Sequence, residues 1–104
     1  GVDSISLPSE FPEHVYITFD VDCFDTSLMP ATGTPVPGGL DWYHTVFLLQ
    51  NIFKERVCLG FDVVELAPQR HMHGASFAIA QLVYNMMGYL VRSQLNAEYY
   101  SFSK

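Results

Sequence analysis

Two apolar runs separated by a single helical pattern constrain this chain more than anything else in it. Val15-Tyr-Ile-Thr-Phe-Asp-Val is rich in β-branched and aromatic residues, and residues 57–66 are again nearly all apolar until their end. Runs of this length and composition predict buried strands. Between them Trp42, Val46, Leu49 and Phe53 recur at helical spacing, with His44, Asn51 and Glu55 on the opposite side. Residues 75 to about 95 predict a second helix, whose polar or small positions (Gln81, Asn85, Gly88, Arg92) form only a narrow line. Such a helix requires cover on most of its sides. Apolar strands alternating with helices imply a parallel sheet covered on both faces, with a right-handed crossover between the strands. Two strands alone, however, expose both sheet edges and cannot cover their own helices. The chain therefore reads as a piece of a larger α/β unit.

The connections carry their own signals. Residues 1–14, with Pro8 and Pro12 among Ser and Glu, read as a connector entering a unit that occupies 15–104. Residues 22–40 hold three prolines and three glycines and predict a long irregular loop. Loops of that length inside compact domains are usually functional. Asp41 is placed to cap a helix running to about residue 55, and Pro68 stops the second strand. In open parallel sheets ligands gather at the carboxyl ends of the strands. Acids sit at those ends: Asp20 and Asp22 after the first strand, Asp62 and Glu65 toward the end of the second.

Charge narrows the function classes. Residues 1–53 contain Asp3, Glu10, Glu13, Asp20, Asp22, Asp25 and Asp41 and no Lys or Arg, so the whole formal excess of −6 lies in the first half. A nucleic-acid module needs a basic face, and a polybasic membrane binder needs the same. A membrane span is not expected either. Residues 71–91 lack Lys, Arg, Asp and Glu, but His71, His73, Gln81 and Asn85 leave an apolar part shorter than the ~20 residues a bilayer requires. Cys23 and Cys58 are too few for a disulfide scaffold and lack knuckle spacing, so free thiols in the cytoplasm are expected.

Asp20-Val-Asp22 is the first chemical candidate. If both residues lie on a strand, their side chains point the same way, about 7 Å apart at the Cα atoms. Two carboxylates on one face repel unless a cation lies between them, which suits a hard divalent metal. Asp25 is close enough to orient the pair or the loop that follows. The competing reading is a solvated acidic loop, or carboxylates capping backbone amides. A Mg²⁺-dependent phosphoryl-transfer site fits poorly, because no Gly-rich phosphate cradle leads into a helix and no basic residue stands nearby.

Three longer motifs are more specific. Phe19-Asp-Val-Asp-Cys-Phe-Asp25, then Met29-Pro-Ala-Thr-Gly-Thr-Pro-Val-Pro-Gly-Gly-Leu40, then Gly60-Phe-Asp-Val-Val-Glu-Leu-Ala-Pro68 occur in this order. The sequence resembles the ureohydrolase family of arginase and agmatinase from about Val15 to Tyr89. The wording of Gly-Gly-Leu-Asp-Trp-Tyr and Gly-Phe-Asp-Val-Val-Glu is closer to agmatinase-type members. The resemblance implies the C-terminal part of a three-layer α/β/α sandwich with a parallel sheet, and two Mn²⁺ ions at the strand ends. It implies Asp20 as the bridging ligand and Asp22 as a terminal ligand. It implies Glu65 as the residue holding the substrate guanidinium, with Thr34 in the substrate-side loop. The implied reaction is attack of a metal-bridging hydroxide on the guanidino group of agmatine or a related compound, giving urea and an amine. Such an activity belongs to polyamine biosynthesis. A homo-oligomer is the implied assembly.

The departures from that pattern are equally informative. Members of the family supply a metal-binding His from Gly-Gly-Asp-His and further ligands from Asp-Ala-His-x-Asp. No His here follows Gly-Asp, and no Asp-x-His occurs. Thr26 stands where a Pro usually follows the third Asp, which affects only loop stiffness. The chain alone is thus expected to be inactive, needing a missing N-terminal portion or a companion fragment. The alternative is an inactive truncated or proteolytic fragment with an incomplete metal site and a structural role only. Asp62 is expected to be structural, since strand alternation turns it away from Glu65. His71-Met-His73 offers two imidazoles but no adjoining carboxylates, His14 and His44 read as surface residues, and Cys23 reads as a packing residue.

Overall fold

The computed structural model describes residues 7–102, with side chains to residue 95. Its order is β1 (His14–Asp20), a 3-10 turn (Val21–Cys23), α1 (Trp42–Glu55), β2 (Val57–Val64) and α2 (His73–Phe102). β1 and β2 pair in parallel, from His14 opposite Val57 to Asp20 opposite Val64. A slip between Val15 and Tyr16 leaves Leu59 unpaired and exposed.

Strand alternation decides which side chains enter the core. Val15, Ile17, Phe19, Phe61 and Val63 turn toward the helices, while Tyr16, Thr18 and Asp20 are exposed on the other face. The expected cover on both faces is thus present on only one among the described residues, because α1 and α2 pack on the same side. The core joins Phe19 to Leu49 and Phe53 of α1 and to Ala75, Ile79, Leu82 and Met86 of α2. Full burial of each large side chain contributes roughly 1.5–3 kcal/mol. Asp41 caps α1 by accepting the His44 N–H at 2.8 Å. At the other end, Ser93 of α2 donates its hydroxyl to the Phe53 carbonyl at 3.0 Å, satisfying one of the carbonyls that a helix end leaves unpaired.

Five boundaries differ from expectation, the smallest being the start of β1 at His14, the last residue of the expected connector. β1 stops at Asp20, not Val21, because the Asp20 carboxylate accepts the Asp22 N–H at 3.0 Å and caps a tight turn. Asp22 is therefore in a 3-10 turn, and the alternation that placed both carboxylates on a strand does not hold. β2 stops at Val64, short of Leu66, because Glu65 adopts a left-handed backbone with φ 74°. α2 begins at His73 and runs to Phe102, beyond the expected end near residue 95, since no Gly or Pro follows Gly88 to break it.

The cover of α2 is also one-sided. Ala75, Ile79, Leu82 and Met86 are buried, but Phe77 and Tyr84 are 72% and 74% exposed and continue into exposed Met87, Val91 and Leu95. Spacings of three, four and seven make these residues one apolar stripe.

Residues 7–13 form no helix or strand but are tied to the far end of α1. Leu7 N donates to Glu55 Oε2 at 3.1 Å, and Arg56 donates to the Pro8 carbonyl at 2.8 Å.

Candidate functional site

The 22–40 loop folds back on itself above the strand ends, and Asp25 holds it there. The Asp25 carboxylate accepts the Ser27 N–H at 2.9 Å, the Ser27 hydroxyl, and the Gly38 N–H at 2.7 Å. These bonds, the Ser27 hydroxyl first, hold the Asp25 carboxyl below its ordinary value of 3.8. Backbone bonds close the rest of the fold-back: Thr26 N to Val36 O at 2.8 Å, Asp25 N to Leu40 O at 2.9 Å and Leu40 N to Cys23 O at 2.8 Å.

Two glycines make this closure possible for different reasons. Gly38 has φ +76°, the left-handed region that favours glycine. A Cβ on Gly39 would lie 2.6 Å from Asp25 N, 2.6 Å from the Phe24 carbonyl carbon and 2.7 Å from Cys23 O. The loop is also anchored inward. Phe24, Met29 and Ala31 are buried, and Phe24 stacks on Trp42 with ring centres 6.4 Å apart.

This closure brings the expected site residues together. Asp20 ends β1, and its Oδ1 is bonded to the Asp22 N–H. Thr34, twelve positions later, donates its hydroxyl to Asp22 Oδ2 at 2.7 Å. Glu65 follows Val64, the pairing partner of Asp20, so it stands at the same end of the sheet. The segment after Glu65 is joined to the loop by Ala67 N donating to Ala31 O at 2.8 Å. Asp20, Thr34 and Glu65 are exposed, and Asp22 is half-buried. A non-glycine residue at positive φ is costly and is held only where its surroundings fix it.

Cys23 lies in the same turn. Its thiol is pushed up to about 11, first by burial and then by the Asp20 and Asp22 carboxylates beside it. It stays protonated near neutral pH and packs against the core, in keeping with a packing role.

Asp62 does something else. It accepts from Thr18 Oγ1 at 2.6 Å and from the Tyr16 hydroxyl at 3.1 Å, bracing the open face of the sheet. The bond to Asp62 raises the Tyr16 phenol above its ordinary value. His14, His44, His71 and His73 are all exposed, and His44 pairs with Asp41 at 3.0 Å. A groove of about 360 Å³ between α1 and α2, lined by Phe47, Gln50, Lys54 and Arg92 among others, contains none of the candidate residues.

The donor types at the strand end fit a hard divalent cation. Each carboxylate has one oxygen engaged, Asp20 Oδ1 and Asp22 Oδ2, and keeps the other without a hydrogen bond among the described residues. Hard cations take such oxygens. Their number does not suffice: among the described residues no group of three or more His, Cys, Asp or Glu is placed to hold a metal ion.

Two features of this site were not legible in the sequence. The Thr34–Asp22 bond spans twelve positions and has no local signature. The Gly39 contact could be suspected only from the Gly-Gly pair after Pro37.

The model of the arginase family matches residues 6–88. Over 89 residues the chain is 42% identical to an N(1)-aminopropylagmatine ureohydrolase of Synechocystis sp., covering 86% of this chain and 29% of that protein. It is 38% identical over 88 residues to an agmatinase of Pyrococcus horikoshii, covering 85% of this chain and 31% of that one. Among solved structures, the agmatine ureohydrolase of Thermoplasma volcanium superposes with a TM-score of 0.69 at 28% identity, covering 81% of this chain and 28% of the other. The chain thus spans less than a third of the length of these relatives.

Proposed function

This chain belongs to the arginase family, and from that premise we propose that it is one part of a Mn²⁺-dependent hydrolase acting on the guanidino group of agmatine or a related compound. The observation that carries the reading is the placement of Asp20 and Asp22 at the end of β1, each with a carboxylate oxygen left over for a cation. Asp20, as a ligand shared by both ions, and Asp22, as a ligand of one of them, would hold the metal. When bound there, Mn²⁺ would lower the pKa of water and so favour its attack on the guanidino carbon.

The chain's own residues do the rest of its share. Glu65, turned off the strand by its left-handed backbone, accepts charge-assisted hydrogen bonds from the guanidinium. Those bonds fix the plane of the substrate and hold its charge. The 22–40 loop, with Thr34 near its fold-back, borders the substrate side and limits water there. The products are urea and an amine.

The remaining ligands come from further polypeptide, in the same chain or in a companion, and the assembly is a homo-oligomer. Three features support this: the fraction of the relatives' length that the chain spans, the uncovered face of the sheet, and the apolar stripe on α2. Two free thiols, Cys23 and Cys58, suit the cytoplasm. No helix among the described residues is long and apolar enough to cross a membrane. A second reading, an inactive structural piece, is favoured by the shortage of metal ligands among the described residues.

Mn²⁺ titration of the ¹⁵N-labelled chain separates the two. A bound paramagnetic ion broadens nearby amide signals. The proposal expects broadening centred on residues 20–23 that Asp20→Asn and Asp22→Asn abolish. Broadening spread evenly over the acidic surface would favour the structural piece.

A further inference from the structure

We infer that Thr34 is a positioning residue for the Asp22 carboxylate, holding it in the orientation in which it meets a divalent cation. This rests on the metal reading proposed above and deepens it.

A threonine hydroxyl has one proton to donate and two lone pairs to offer. In Thr34 the proton goes to Asp22 Oδ2 at 2.7 Å. That bond stops the carboxylate from rotating and leaves Oδ1 for the cation. Asp22 has no other side-chain support among the described residues, since its N–H serves Asp20. The Asp25 carboxylate, bonded at Ser27 and at Gly38, joins the backbone bonds that close the fold-back carrying Thr34. Asp25, the loop, Thr34 and Asp22 therefore form a chain of support running toward the metal position. Partners of this kind, one bond removed from the ion, typically change metal affinity about 10–100-fold when removed. Thr34 is exposed and Asp22 only half-buried, so the lower end applies here.

The test compares the intact chain with Thr34→Val, Thr34→Ser and Asp25→Asn in the same Mn²⁺ titration, reading the concentration that half-broadens the amides of residues 20–23. Thr34→Val keeps the shape and removes the hydroxyl, and is expected to require about tenfold more Mn²⁺. Thr34→Ser restores the donor and is expected to return close to the intact chain. Asp25→Asn leaves Thr34 and Asp22 untouched, loosens the loop, and is expected to fall between them. Amide signals of α2 report whether each variant is folded.

If Thr34→Val and the intact chain half-broaden at the same concentration, Thr34 does not position Asp22, while the metal reading stands. A Thr34→Ser variant as weak as Thr34→Val also overturns the inference, because the hydroxyl is then not responsible. Absence of localised broadening in the intact chain removes the metal reading, and this inference with it.

Discussion

Replacing Gly39 by Ala should damage the loop more than a methyl group added at any other glycine among the described residues. The added Cβ would sit 2.6 Å from Asp25 N, 2.6 Å from the Phe24 carbonyl carbon and 2.7 Å from Cys23 O. All three are backbone atoms, so no rotamer change relieves the contact. Overpacking of this sort costs about 1–3 kcal/mol. The loop must then move, which breaks Leu40 N to Cys23 O at 2.8 Å and Asp25 N to Leu40 O at 2.9 Å, each worth about 1 kcal/mol. The expected loss is about 3–5 kcal/mol, a large part of the ~5–15 kcal/mol that stabilises a typical domain. Gly38→Ala is the control. Its Cβ meets nothing within 4 Å, and only the φ of +76° is penalised, at about 1–2 kcal/mol. Urea unfolding followed by circular dichroism measures both. With a slope of about 1–1.5 kcal/mol per molar urea, the Gly39→Ala midpoint should lie about 0.7–4 M below that of Gly38→Ala. Equal midpoints would refute the close approach of residue 39 to the 23–25 backbone.

The remaining predictions concern charge, hydrogen bonds and packing. Asp25 has a lowered pKa in the folded chain, so its contribution is complete above the ordinary value of 3.8 and is lost as pH falls through the folded value. Urea midpoints of the intact chain and Asp25→Asn should therefore differ at pH 5 and converge toward pH 2; a constant gap would contradict the bonding described. Thr45→Val removes a buried hydroxyl that donates to the Asp41 carbonyl at 2.8 Å and should cost about 1 kcal/mol. Thr32→Val removes a buried hydroxyl with no partner among the described residues and should be neutral or stabilising by thermal melting. Leu82→Ala, at a fully buried position, should cost about 2–5 kcal/mol, whereas Tyr84→Ser, two residues away on the exposed stripe, should stay within about 0.5 kcal/mol.

Element order was legible because it rests on period and punctuation. The apolar runs gave β1 and β2, Asp41 gave the start of α1, and the prolines and glycines of residues 22–40 gave the loop. What stayed illegible depends on side chains bonding to backbone. Asp20 and Asp22 looked like alternating strand residues, yet the Asp20 carboxylate captures the Asp22 N–H and turns the chain. Nothing in Val64-Glu-Leu announces a left-handed residue, so the end of β2 was misplaced. The family motifs named the candidate residues without revealing how they are held. Asp25, which sequence could only place near the pair, is the residue on which the fold-back closes. The one-sided cover of α2 agrees with the expectation that two strands cannot cover their own helices, but which residues form the open stripe was not legible from composition.

Urea release tests the proposed metal-dependent activity most directly. Residues 15–89 would replace the matching segment of the Pyrococcus horikoshii agmatinase, and the hybrid and the isolated 104-residue chain would be assayed with agmatine and Mn²⁺. The hybrid should release urea, lose that activity on Asp20→Asn or Asp22→Asn, and leave the isolated chain as the inactive reference. Metal-dependent urea release by the isolated chain, or a hybrid indifferent to both substitutions, would contradict the account.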